Sequence, residues 1–262
     1  MTSFAEEFAD GHSIVHTITP RIRLIVATLF SCAVATFAND SAALAALIAG
    51  ALLALLAKLP IKPLVKRLIV INVFVVFLWV FLPFTTEGTP LRTFGPLVAS
   101  VEGVHLAKLL TLKANAIMLT FITLGATMTV SQFGRAMQRL GIPDKLCHLL
   151  LFTFRYIFVI EQEFKKMTRA LKARGFAPRT NMHTWRTYSY LVGMLLVKSY
   201  DRAEQVYKAM VCRGFDGTFY TLEKEKLSGL DYSFLLSGCI TTAGLVILEY
   251  NKAGLIWQTL PF

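Results

Sequence analysis

Long apolar runs separated by brief polar breaks fill the first half of the chain, at about 24–38, 42–57, 64–84 and 104–130. Their lengths scatter around the roughly 20 residues a helix needs to cross a bilayer. Only Asn39, Asp40 and Ser41 separate the first two runs, which predicts a tight turn between antiparallel helices. From Ser131 to Asp231 the pattern changes: basic residues recur, and apolar positions fall at the three- and four-residue steps of one helix face. This predicts three amphipathic helices, near 131–140, 144–174 and 182–213, with Ser131 and Asp144 as N-caps and Pro143 and Pro178 at the breaks. Two apolar stretches within them, 146–160 and 188–197, read either as further spans or as interfacial segments. Arg155 interrupts the first and the second is short, so the expectation is helices that lie against or dip into the membrane and emerge with free C-terminal ends. A last apolar run at 234–248, with Trp257 beyond it as an interfacial anchor, brings the expected spans to five. The resulting division is 1–130 with four spans, 131–231 with the amphipathic helices, and 232–262 with the last span.

Composition agrees with this pattern. Hydrophobic residues make up 55% of the 262 and charged residues 16%, proportions of a polytopic membrane protein. The formal charge of +11 concentrates in loops, as expected of cytoplasmic segments. Lys58, Lys62, Lys66 and Arg67, with Pro60 and Pro63, place the second loop inside, and the N-terminus with it. The loop from Thr85 to Gly103, with Gly88, Pro90, Gly95, Pro96 and a single arginine, Arg92, is expected outside. Arg21 and Arg23 before a run containing Ala33-Val34-Ala35 resemble a secretory signal, but the acidic leader with Glu6, Glu7 and Asp10, and the spans that follow, favour an uncleaved first span. Among intramembrane polar residues, Lys108 sits near a helix end and can snorkel, whereas Lys113 is expected to meet a partner subunit or a buried acceptor. Asn72 and Asn115 complete this set. His12 and His16 lie one turn apart without a third ligand; His105, His148 and His183 are isolated; Cys32, Cys147, Cys212 and Cys239 have no paired spacing. No phosphate loop, dinucleotide turn or zinc-protease motif occurs, so no catalytic or metal residues are assigned and the chain is not expected to be an enzyme. No basic-aromatic module points to nucleic acid.

One short stretch occurs twice. Ala173-Arg174-Gly175-Phe176 returns as Cys212-Arg213-Gly214-Phe215, and each arginine continues an apolar stripe, Phe164, Met167 and Leu171 in one copy and Ala203, Val206 and Met210 in the other. A cation near a helix C-terminus answers the helix dipole, worth about 0.3 to 1 kcal/mol. Capping alone requires neither the small residue before each arginine nor the aromatic after each glycine. A small neighbour beside a protruding guanidinium suits insertion into a narrow acidic slot on another protein.

These paired small-Arg-Gly motifs, each ending a charged amphipathic helix, resemble those of the transmembrane coupling subunit (T component) of energy-coupling-factor transporters, in its cobalt-type, CbiQ-like branch. His16-Thr17-Ile18-Thr19-Pro20-Arg21, Leu140-Gly141-Ile142-Pro143 and Phe154-Arg155-Tyr156 extend the likeness. Thr19-Pro20-Arg21 stands where that family usually has Asp-Pro-Arg, and Thr127-Met128-Thr129-Val130 lacks the family's proline-containing turn. The resemblance implies an all-α polytopic membrane protein with about five transmembrane helices plus amphipathic cytoplasmic coupling helices, multi-pass in the plasma membrane with a cytoplasmic N-terminus. It implies that Ala173, Arg174, Gly175, Cys212, Arg213 and Gly214 dock on two copies of a cytoplasmic ABC ATPase. ATP-Mg would then belong to those partners, with no cofactor in this chain. A separate membrane subunit would bind the substrate, a cobalt ion on overall likeness. A self-sufficient secondary transporter and a non-transporting membrane scaffold are the alternative readings.

Overall fold

The computed structural model describes residues 17–86, 89–94, 97–217 and 228–258. His12, His16, the leader acids, Gly88, Gly95, Pro96 and the side chains of Arg92 and Trp257 lie outside the described residues. Eight helices occur among those described: α1 (Pro20–Thr36), α2 (Asp40–Leu56), α3 (Ile61–Thr85), α4 (Val101–Leu124), α5 (Val130–Arg139), α6 (Asp144–Ala173), α7 (Met182–Val211) and α8 (Gly229–Gln258). Between α3 and α4 runs an antiparallel hairpin, β1 (Pro90–Phe94) with β2 (Leu97–Ser100), where an irregular loop was expected. The chain is thus an all-α polytopic membrane protein with one small hairpin. It divides into two compact units, Met1–Ala136 with Glu225–Phe262, and Met137–Lys224.

In the first unit α4 is the central helix, packed on α1, α2 and α3, and α8 lies against α1 and α2. Three helices, α3, α4 and the Gly229–Tyr250 part of α8, are long and apolar enough to cross a membrane. The other two of the five expected spans, α1 and α2, have 17 residues each, about 25 Å at 1.5 Å per residue. Small residues let these helices close up, since apolar side chains gain little by leaving lipid for one another. Ala42, Ala43, Ala46 and Gly50 form the buried stripe of α2. A Cβ on Gly50 would stand 3.2 Å from both the Ala116 carbonyl oxygen and Thr120 Oγ1. Gly238 of α8 similarly presses on Val26, whose Cγ1 would be 2.8 Å from an added Cβ.

Polar ties join the helix ends. Asp231, 1% exposed, accepts the backbone N–H of Thr19 through one oxygen and that of Ser228 through the other, both at 2.8 Å. The second bond is half of a capping box for α8. Glu249 accepts the N–H groups of Ala38 and Asn39 at the α1–α2 turn. Arg23, equally buried, donates from Nε to the Ile18 carbonyl at 2.9 Å and from a terminal nitrogen to Thr127 Oγ1 at 3.3 Å. It therefore braces the turn after α4 that lacks the expected proline.

The intramembrane polar residues find partners within the unit. Lys113 donates to the Ala35 carbonyl at 3.0 Å, so the acceptor is the last turn of α1, whose terminal carbonyls have no helical partner. Lys108 pairs with Asp40 at 2.9 Å, and His105 approaches the same oxygen at 3.4 Å. Asn72 and Asn115 bond to each other through both amides, at 3.0 and 3.2 Å, and each also donates to its own i−4 carbonyl. Paired in this way, they form no chain of groups along which a proton or ion could pass.

Two helix starts differ from expectation. α5 begins at Val130, not after Ser131, because Thr129 and Gln132 form a reciprocal capping box: Gln132 N–H to Thr129 Oγ1 at 3.2 Å, Thr129 N–H to Gln132 Oε1 at 3.1 Å. Asp144 is the first residue of α6, with Pro143 at the N-cap, and its carboxylate accepts from Gln138 Nε2 at 2.8 Å.

Candidate partner-docking site

The repeat ends two helices of equal length, α6 and α7, each 30 residues. Gly175 and Gly214 both have φ of +81°, the left-handed conformation that favours glycine. Behind Gly175, its N–H bonds the Lys172 carbonyl at 3.0 Å and the Phe176 N–H bonds Leu171 at 3.1 Å. Behind Gly214, the N–H bonds Val211 at 2.9 Å and the Phe215 N–H bonds Met210 at 3.1 Å. Both ends are therefore Schellman motifs with matching bonds. A third closes α5, where Gly141 at φ +94° bonds Gln138 and Ile142 bonds Met137. There the residue before the glycine is Leu140, so the cap itself does not call for an arginine.

The same geometry accounts for the phenylalanines locally, contrary to the sequence argument that capping has no use for them. A Schellman motif commonly rests the apolar residue after its glycine on the preceding turn. Phe176 and Phe215 hold that position and both are half-buried. The Phe176 ring also packs on α7, 5.9 Å from Tyr188 and 6.3 Å from His183 between centroids. What the cap leaves unexplained is the arginine and its small neighbour. Ala173, Arg174, Gly175, Cys212, Arg213 and Gly214 are all exposed, and nothing lies within 4 Å of a Cβ placed on either glycine. Among the described residues neither guanidinium makes a hydrogen bond or an ion pair. Each is a charged fork at the tip of a helix, with open space beside it.

The two tips are not neighbours. Through Phe176, the Arg174 end is fixed to the first turns of α7, and Arg213 stands at the far end of that same helix. Helix geometry then separates the tips by roughly 40 Å. Glu163 of α6 meets Lys198 of α7 at 3.2 Å and ties the pair near its middle. That contact holds the Glu163 carboxyl below its usual range, first through the Lys198 hydrogen bond and charge, then through Lys166 and Arg202. Beside it runs an apolar groove of about 510 Å³ between α6 and α7. Sequence reading missed the groove because its walls lie far apart in the chain. Its sequence signals were the helical spacing of Leu149, Phe152, Tyr156 and Ile160 on one wall and the stripe of Ala203, Val206 and Met210 on the other.

Comparison with known proteins places the chain. The family described as cobalt transport protein, CbiQ, matches residues 11–224. An uncharacterized protein of Methanocaldococcus jannaschii is 24% identical over 94% of this chain and 86% of its own length. An energy-coupling factor transporter transmembrane protein EcfT of Brevibacillus brevis is 27% identical over 80% of this chain and 84% of its own. The cobalt transport protein CbiQ of Rhodobacter capsulatus is 25% identical over 56% of this chain and 61% of its own. The family match over residues 11–224, borne by a chain that carries both arginine-tipped helices, makes it a member of the CbiQ family, a T component of the energy-coupling-factor type.

Proposed function

We propose that the chain is the mechanical link of an ATP-driven importer, docking through Arg174 and Arg213 on two cytoplasmic ATPase subunits and passing their motion to a separate substrate-binding membrane subunit. The observation that carries this reading is the pair of identically capped, exposed and unpaired guanidinium tips at opposite ends of one helix pair. One tip would suffice for one soluble partner. Two tips some 40 Å apart suit two copies of the same partner, and a nucleotide-driven approach of those copies would push on both ends at once. Ala173 and Cys212 leave room for a slot to close around each arginine, and the open glycines keep the tips unobstructed.

This arrangement also fixes how the pair would lie. If α6 and α7 stood across a bilayer, one tip would face each compartment. Both can serve the cytoplasm only if the pair extends along the membrane plane, which narrows the expectation of helices that lie against or dip into the membrane to the first of these. The excess of Lys and Arg in this segment supports a cytoplasmic place for it, and for the N-terminus with it. ATP-Mg would be held by the partners. The cargo would be a cobalt ion, following the family's description.

The test is copurification from membranes in mild detergent, with uptake measured in parallel. The wild-type chain brings down an ATPase pair and a further membrane protein. Arg174→Glu combined with Arg213→Glu inserts normally but loses the ATPases and the ATP-driven uptake, since removing one partner of a buried, hydrogen-bonded charge pair costs about 2 to 5 kcal/mol of affinity. Undiminished uptake in the double variant, or ion-gradient-driven transport by the chain alone, would overturn the reading.

A further inference from the structure

The α6–α7 groove has a character that ATPase docking does not use. Its floor is apolar, built by Leu149, Phe152, Ile157 and Ile160 of α6 with Leu195 and Val206 of α7. Its charged lining gathers at one place, around Glu163, Lys198 and Arg202. There the charges do not balance. Glu163 is matched by Lys198 in a 3.2 Å ion pair, while Lys166 and Arg202 also stand close enough to act on the same carboxylate. Arg202 makes no side-chain hydrogen bond among the described residues. One anion therefore faces three cations beside an apolar trough whose volume, about 510 Å³, falls within the usual size of small-molecule sites.

A long apolar slot with surplus positive charge at one point fits an amphiphile with an anionic head. The geometry points to a membrane phospholipid seated in this groove, its acyl chain along the α6–α7 seam and its phosphate on Arg202, with Lys198 shared between it and Glu163. Water would fill such a slot poorly, and apolar surface left wet costs about 25 cal/mol per Å². A guanidinium matches phosphate oxygens with two parallel N–H bonds. The lipid would be a wedge holding the two coupling helices at a set spacing. This inference rests on the pair lying at the membrane and not on the arginine tips.

The test uses the full chain in mild detergent and reads thermal stability after addition of phosphatidylglycerol or phosphatidylcholine at equal concentration. Wild type is expected to be raised by several degrees more with phosphatidylglycerol. Arg202→Gln, an exposed change, should abolish that preference, and Ala203→Trp, which fills the trough, should do the same. Arg186→Gln on α7, outside the groove, should keep it. Arg174→Glu with Arg213→Glu should also keep it, which separates this outcome from failure of the docking reading. Equal stabilisation by both lipids, or an unchanged preference in Arg202→Gln and Ala203→Trp, would overturn the proposal. So would loss of the membrane partner subunit in Ala203→Trp with the lipid preference intact, because the groove would then seat a protein.

Discussion

Gly175 and Gly214 are the residues at which the backbone, not packing, decides what is tolerated. Both sit at φ +81° with nothing near a prospective Cβ. Alanine there would meet no obstacle and would still suffer the left-handed penalty of about 1 to 2 kcal/mol. We expect Gly175→Ala and Gly214→Ala to fray the last turn of their helices, seen as faster amide exchange at Phe176 and Phe215, and to weaken ATPase retention. Asn, which tolerates this conformation better, should fray the turn less than Ala. The arginines beside them stand out in the sequence because they recur, and the structure adds that the Leu140-Gly141 cap does without one. The phenylalanines misled, since repetition alone does not separate a residue needed by a partner from one needed by the cap.

At the scale of elements, α6 and α7 are joined by the Phe176 contact and by the Glu163–Lys198 ion pair. The carboxyl of Glu163 is held below its ordinary value, so the stabilisation it contributes is present above the unfolded-state value, about 4.3, and is lost as pH falls through the lowered one. Acidification through that lowered range should therefore loosen α6 from α7, measured as spin-label distances between the two helices, and Glu163→Gln should show the loosened distances already at neutral pH. On the membrane side, Gly238→Leu would drive a side chain into Val26 and separate α8 from α1. Overpacking of this kind costs about 1 to 3 kcal/mol and should appear as a lower detergent-unfolding midpoint. The helices themselves were readable because apolar periodicity and length are local properties. The Asn72–Asn115 pair was not, because its members lie 43 residues apart and each alone looks like an intramembrane liability. The capping box of α5 was readable in principle: Gln132 follows Thr129 by three residues, a signature that Ser131 lacks.

For the whole molecule, the decisive quantity is the distance between the two tips. Ala173→Cys would supply a second label site beside the exposed native Cys212, once Cys32 and Cys239, also exposed, are replaced by Ser. Paired spin labels should then report about 40 Å, and a short distance would overturn the separation of the tips. Addition of ATPase subunits should shield both thiols from maleimide, and Arg-to-Glu changes should restore labelling.

The first and last helices of the membrane unit are also bound to each other. Asp231 takes the backbone just before α1, and Glu249 takes the turn just after it, across more than 200 residues of sequence. Both ends of α1 thus wait for carboxylates made more than 200 residues later. Assembly of this unit has to wait for α8, and a nascent chain halted before Ser228 should leave α1 open to protease until α8 arrives to buckle it in.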